Sequence, residues 1–290
     1  MTTRTLSNII RSLETSDGAG VKLRRSIGRS SGERLDPFLM LDEFGTENPD
    51  DYIAGFPPHP HRGFETVTYM LDGHMRHQDH LGHVGELKSG GVQWMSAGRG
   101  VIHSEMPMQD QGRMRGFQLW INLPARDKMK PAAYRDIAPA QIPVVALPGG
   151  GQLRVIAGRA EVDGRSVAGP INADAGSMVT DPHCMDVHLN AGESFAQPLP
   201  LGYTAFAYLY EGHLAVGPAD AMQALPLQAA GRLSDGDRFL ARAGDAGARL
   251  LLLAARPLGE PVVQYGPFVM NTRDEIEQAL ADYRDGKLAA

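Results

Sequence analysis

Glu65-Thr-Val-Thr-Tyr-Met-Leu-Asp-Gly73 and Thr204-Ala-Phe-Ala-Tyr-Leu-Tyr-Glu-Gly212 follow one pattern. Each is a strand-like run that closes on an acidic residue and a glycine, a strand-to-turn signal. The two runs lie 139 positions apart, and Tyr69 and Tyr208 share that offset. His61 and Pro200 stand equally far ahead of them. An internal repeat of this length implies two β domains of similar size.

Further strand-like runs extend outward from this pair, at 92–96, 117–123, 153–157, 185–189 and 249–255. Turns such as Ser89-Gly90-Gly91 and Asp235-Gly236-Asp237 punctuate them. In the run 117–123, Phe117, Leu119, Ile121 and Leu123 share one face. Gln118, Trp120 and Asn122 share the other, as expected of a strand that lines a pocket. One helix is expected, at 272–285. Thr272 and Glu275 form a capping-box pattern, and Ile276, Ala279, Leu280 and Tyr283 form an apolar stripe that should pack on a barrel. Residues 286–290 are expected to fray. Four prolines between Pro131 and Pro148 mark the domain boundary. The expected division is 1–135 and 136–290, with the helix in the second part.

The 290 residues are ample for two cores. A net charge of -6 gives no global field for nucleic acid, so direct nucleic-acid binding is not expected. Lys22, Arg24, Arg25 and Arg29 read as a solvated face. The single cysteine, Cys184, allows no intrachain disulfide and reads as a buried small apolar residue. No apolar run approaches a membrane span, and a cytoplasmic location is the expectation.

Seven of the ten histidines fall between His59 and His103. In His59-Pro60-His61 the imidazoles are two positions apart, so an extended segment points both to one face. Pro60 stiffens that segment. His103 and Glu105 repeat the spacing. Two adjacent strands carrying these pairs would offer three nitrogens and one carboxylate oxygen to a single ion. A six-coordinate ion would keep positions for water, O₂ or substrate. His74, His77, His80 and His83 step by three, which alternates faces on a strand. They read as loop or hairpin histidines, with at most one reaching the pocket.

The stretch Phe56-Pro-Pro-His59-Pro-His61-Arg-Gly-Phe-Glu65-Thr resembles the first metal motif of the pirin family. Gln93-Trp94-Met-Ser-Ala-Gly98-Arg-Gly100-Val-Ile-His103-Ser-Glu105-Met-Pro107 resembles the second. Asp36-Pro-Phe-Leu-Met-Leu-Asp42-Glu-Phe44 and Gly266-Pro-Phe-Val-Met-Asn271 match near opposite ends. The resemblance implies an all-β bicupin: two antiparallel jelly-roll barrels with a C-terminal helix folded back. It implies one divalent metal on His59, His61, His103 and Glu105, with iron first. Mn, Ni, Cu and Zn would also accept these ligands. Glu65, a ligand in the general cupin pattern, is expected behind the ligands, orienting an imidazole. Pro198 and Pro200 replace the first two histidines in the second barrel, which should hold no metal.

Two functions follow from the resemblance. One is a quercetin 2,3-dioxygenase-like activity on a flavonol or other enolic substrate with O₂. Glu105 would be the catalytic base, and Gln118 and Trp120 would orient the aromatic ring. The other is a metal- or redox-sensing regulator of a transcription factor or metabolic enzyme.

Overall fold

A computed structural model describes residues 1–174 and 176–289. It contains two compact all-β units that exchange their terminal segments. One comprises Leu13–Pro139 and Leu258–Ala290; the other comprises Met1–Ser12 and Ala140–Pro257. The cut between 139 and 140 lies in the proline-marked stretch. A division at 135/136 misassigns both ends of the chain. The exchanged termini follow from specific pairings. Leu6–Arg11 pairs with Ala229–Leu233 in the second unit. The buried Arg4 guanidinium donates to the Gly236, Tyr203 and Pro200 carbonyls there.

The first unit is built on a two-stranded antiparallel sheet, Val263–Tyr265 with Phe268–Met270, and two larger ones. One has seven strands in the order Ala133–Ile137, Val92–Ser96, Phe64–Asp72, Met114–Asn122, Phe38–Thr46, Val21–Ile27 and Leu13–Asp17. The other has four, in the order Phe56–His61, Val101–Pro107, His74–Asp79 and Val84–Lys88. Leu23, Phe44, Tyr52, Met70, Met75, Leu87 and Met114 form an apolar cluster in this unit.

The second unit is built on a nine-stranded antiparallel sheet, with a separate hairpin of Arg159–Val162 and Arg165–Ala168. Its core shows the period of two plainly. Leu153, Val187, Leu250 and Leu209 form one cross-strand row, and Val155, Met185, Leu252 and Ala207 form the next. Cys184 points to the opposite face and is buried there. Burial, with Asp186 nearby, pushes its thiol up to about 12, so it behaves as an apolar residue.

The repeat noted in the sequence is also topological. Val67 is flanked in register by Trp94 and Leu119. Phe206, 139 positions later, is flanked likewise by Arg232 and Leu253. Both central strands reach a glycine of positive φ, Gly73 and Gly212. At Gly212 a Cβ would sit 2.1 Å from the Gly247 carbonyl oxygen, so only glycine allows that bend.

The helix spans Arg273–Arg284 and carries the full capping box between Thr272 and Glu275. Its buried stripe is narrower than the sequence pattern suggests. Ile276 and Ala279 are buried, whereas Leu280 and Tyr283 stay 37% and 42% exposed. The segment after it does not fray as expected through Leu288. That side chain is buried in a cluster with Phe268, Met270, Ile276 and Ala279. Its carbonyl accepts from Arg62 Nη2.

The solvated basic face expected from the sequence is a set of ion pairs. Lys22 faces Asp51, Arg24 faces Glu14, and Arg29 faces Glu33. Arg25 grips the buried Asp42 with two nitrogens. Among the described residues, no helix is long and apolar enough to cross a membrane.

Lys128 is a buried brace in the first unit. Its three ammonium protons match three acceptors: the Gly63 carbonyl at 2.7 Å, Asn122 Oδ1 at 2.7 Å and the Val269 carbonyl at 3.0 Å. Burial lowers its pKa to about 8, so the ammonium remains charged near neutral pH. Replacing it strands three buried acceptors. We expect Lys128→Met to destabilise the protein by about 3 kcal/mol in denaturant titrations. A loss within about 0.5 kcal/mol would show that the brace is dispensable.

Candidate metal centre

The site is made by one strand register. On neighbouring antiparallel strands, His59 lies opposite His103 and His61 opposite Val101. The period of two then puts His59, His61, His103 and Glu105 on a common face. The register slips between His103 and Glu105, which pairs with Phe56. Pro57 and Pro58 fall in the slipped stretch. They have no N–H to donate, which suits a bulge.

The three imidazoles converge. One donor nitrogen from each of His59, His61 and His103 can be chosen so that all lie within 4.8 Å of one another. Among the described residues this is the one such group of histidine, cysteine or carboxylate side chains. The group could bind a metal. His59 Nδ1 lies 2.8 Å from the Pro57 carbonyl, so it carries the proton and donates. That leaves the Nε2 lone pair facing His61 Nε2 at 3.0 Å. His103 Nε2 is buried and has no protein partner. With the His61 proton on Nδ1, two acceptor nitrogens face each other beside an orphaned third. That arrangement becomes favourable around a cation, so the donor set fits one.

Electrostatics prepares the same state. Burial, and secondarily the charge of His59, holds His61 well below the usual imidazole range. Burial, followed by the neighbouring His61, does the same at His103. Both rings therefore present neutral lone pairs near pH 7.

Glu105 is buried on the same face but is not in the three-histidine group. Its Oε1 accepts from Thr68 Oγ1 at 3.1 Å. Thr68 Oγ1 also meets the Gln118 side-chain amide at 2.5 Å. One hydroxyl proton cannot serve both oxygens. With the Gln118 amide turned, its NH₂ donates to Thr68 and Thr68 donates to Glu105. A continuous relay then supports the carboxylate. Gln118 and Trp120 do share the face expected of them. Both line a cavity of about 590 Å³ together with His59, His61 and Glu105. Trp120 also packs edge-on against His61, with ring centroids 5.4 Å apart.

One expectation needs correction. Among the described residues, Glu65 bonds to no imidazole. Its side chain, on the opposite face of its strand from Thr68, accepts from Trp94 Nε1 at 3.1 Å and faces Lys130. Burial raises its pKa despite that ammonium. His74, His77, His80 and His83 lie on one hairpin, as expected, and the alternation along the strand His74–Asp79 separates His74 from His77. His74 bonds to Glu86 at the surface. His77 is buried, with its Nδ1 3.1 Å from His103 Nδ1. The regular spacing of the four histidines concealed it; the alternation of faces along a strand could have singled it out. His80 and His83 flank the turn, bonded to the Ala289 carbonyl and to Asp79.

Two β-barrel units with an imidazole cluster inside one of them define a two-barrel cupin. A pirin family model matches residues 20–121, and a model of the pirin C-terminal cupin domain matches residues 184–289. A Pseudomonas aeruginosa protein, provisionally named a quercetin 2,3-dioxygenase, is 57% identical over 274 residues, 94% of each chain. Human pirin is 40% identical over 278 residues, covering 95% of this chain and 91% of that one. A crystal structure of quercetin 2,3-dioxygenase from Acinetobacter baumannii superposes with a TM-score of 0.87 at 33% identity, covering 99% of both chains. The chain belongs to the pirin family.

The buried histidines carry a pH signature. Their folded pKa values lie below the ordinary 6.5, so the unfolded chain binds more protons as pH falls. Stability is therefore lost on acidification through that range. The metal-free protein should weaken between about pH 7 and about pH 5. His103→Gln should flatten the slope by up to about 1.4 kcal/mol per pH unit. Denaturant titrations across pH test this. An unchanged slope would mean that His103 is protonated in the fold.

Proposed function

We propose that the protein is a metal-dependent oxygenase of the quercetin 2,3-dioxygenase type, acting on flavonols or other enolic aromatic compounds with O₂. The observation that supports this most is a juxtaposition. Three imidazoles converge, and two of them, His59 and His61, line a cavity of about 590 Å³ beside a buried carboxylate and between apolar walls. That volume suits a small polycyclic ligand. The activity in the names of the Pseudomonas and Acinetobacter relatives supports the same reading.

In this reading His59, His61, His103 and Glu105 hold the metal. Iron is the first choice, and Mn, Ni, Cu or Zn would also accept these ligands. When bound, the ion supplies Lewis acidity and redox chemistry with O₂.

The remaining roles fall to the chain. Phe44, Phe56, Met40 and Trp120 give the cavity apolar walls for an aromatic ring. The Gln118 carbonyl, freed when its NH₂ turns to Thr68, can accept from a substrate hydroxyl. Glu105 Oε1 is held by Thr68, and its carboxylate, once loosened from the ion, would take the enol proton as the substrate becomes an enolate. Burial of Glu105 keeps water from competing for that proton.

Protein loaded anaerobically with Fe(II) should consume O₂ when given a flavonol. Glu105→Gln should lower turnover about 100-fold, well beyond its effect on iron content, because an amide is no base near neutral pH. Turnover and metal content by atomic absorption separate the two effects. No oxygen uptake across flavonols and other enols, with the site filled, would sink the oxygenase reading and leave a metal-dependent regulator.

A further inference from the structure

We infer that His77 is a positioning residue that fixes His103 toward the metal. This rests on the metal-site reading above. His77 stands directly opposite Glu105, on the strand His74–Asp79 that adjoins the His103 strand. It is 2% exposed. Its Nδ1 lies 3.1 Å from His103 Nδ1, and the ring centroids are 4.8 Å apart. Two neutral imidazoles at that distance share one proton.

The direction of that hydrogen bond follows from what His103 must do. His103 Nε2 is buried without a protein partner, and His103 belongs to the three-histidine group. To offer a lone pair at Nε2, the ring must carry its proton on Nδ1 and donate it to His77 Nδ1. The reverse arrangement would put the His103 proton on Nε2, where it would block a ligand nitrogen. His77 then carries its own proton on Nε2, which is also buried and without a protein partner. Tyr134 packs against the His77 ring, with centroids 5.1 Å apart, and limits its rotation.

His59 obtains the same service from its own backbone, through the Pro57 carbonyl. His103 obtains it from a second imidazole on the adjacent strand. Groups in this outer position set the tautomer and ring plane of a ligand, and their loss typically weakens metal binding 10–100-fold. His77 thus governs how strongly His103 binds and which way it points, without itself reaching the ion.

The test uses full-length protein and Co(II), whose visible spectrum reports ligand geometry. Affinity is read by competition with a chelator. His77→Phe keeps the bulk and removes the acceptor; His77→Gln keeps an acceptor within reach. We expect His77→Phe to weaken Co(II) binding about 10–100-fold and to shift the visible bands. His77→Gln should recover most of the affinity and the wild-type spectrum. Equal affinities and spectra in all three proteins would overturn the inference. An equal loss in both variants would overturn it too, because bulk packing would then explain it. If His77→Phe does not fold, His77→Ala takes its place in the comparison. Failure of the metal-site reading is separately visible in controls: wild type binds no Co(II), or stoichiometric binding survives loss of both His59 and His61.

Discussion

The pairing of His59 with His103 across two antiparallel strands is the constraint from which the centre is built. A slip of one residue would turn His103 and Glu105 to the other face together. The register is therefore held from several sides. Pro57 and Pro58 confine the slip to the far end of the pairing, beyond the histidines. On its other edge the His103 strand is locked by five consecutive pairs to the strand that carries His77.

Buried polar groups anchor the other end of the ligand strand. Directly after His61, Arg62 extends its guanidinium to the Arg99 and Leu288 carbonyls and to Asp282 on the helix. A Cβ at Gly63 would sit 2.0 Å from the Val269 carbonyl oxygen, so the two segments touch through bare backbone. Lys128 bonds to both of them. Residues 258–289 therefore serve as the outer support of the strand that carries His59 and His61, which explains why they belong to the first unit and not the second. Buried charges with every hydrogen bond satisfied specify one arrangement more sharply than apolar packing alone.

Much of this was legible in the sequence. The paired runs at Glu65 and Thr204, the glycine after each and the capping box at Thr272 all rest on local signals, and the structure carries them. That His59 and His61, and His103 and Glu105, share a face was legible because a spacing of two has one meaning on a strand. What could not be read depended on distant partners. Glu65 turns to Trp94 and Lys130 because of its strand's facing, which no motif records. Leu288 is ordered by Arg62, more than two hundred positions away. His77 was obscured by a run of evenly spaced histidines that end in four different environments.

Cys184 has an experimental use of its own. It is the sole cysteine of the chain, buried in the second unit, with a thiol pushed up to about 12. A reagent that attacks thiolates finds almost none while that unit is folded. Each labelling event therefore counts one opening of the second barrel. The chain thus carries a built-in clock for its second unit.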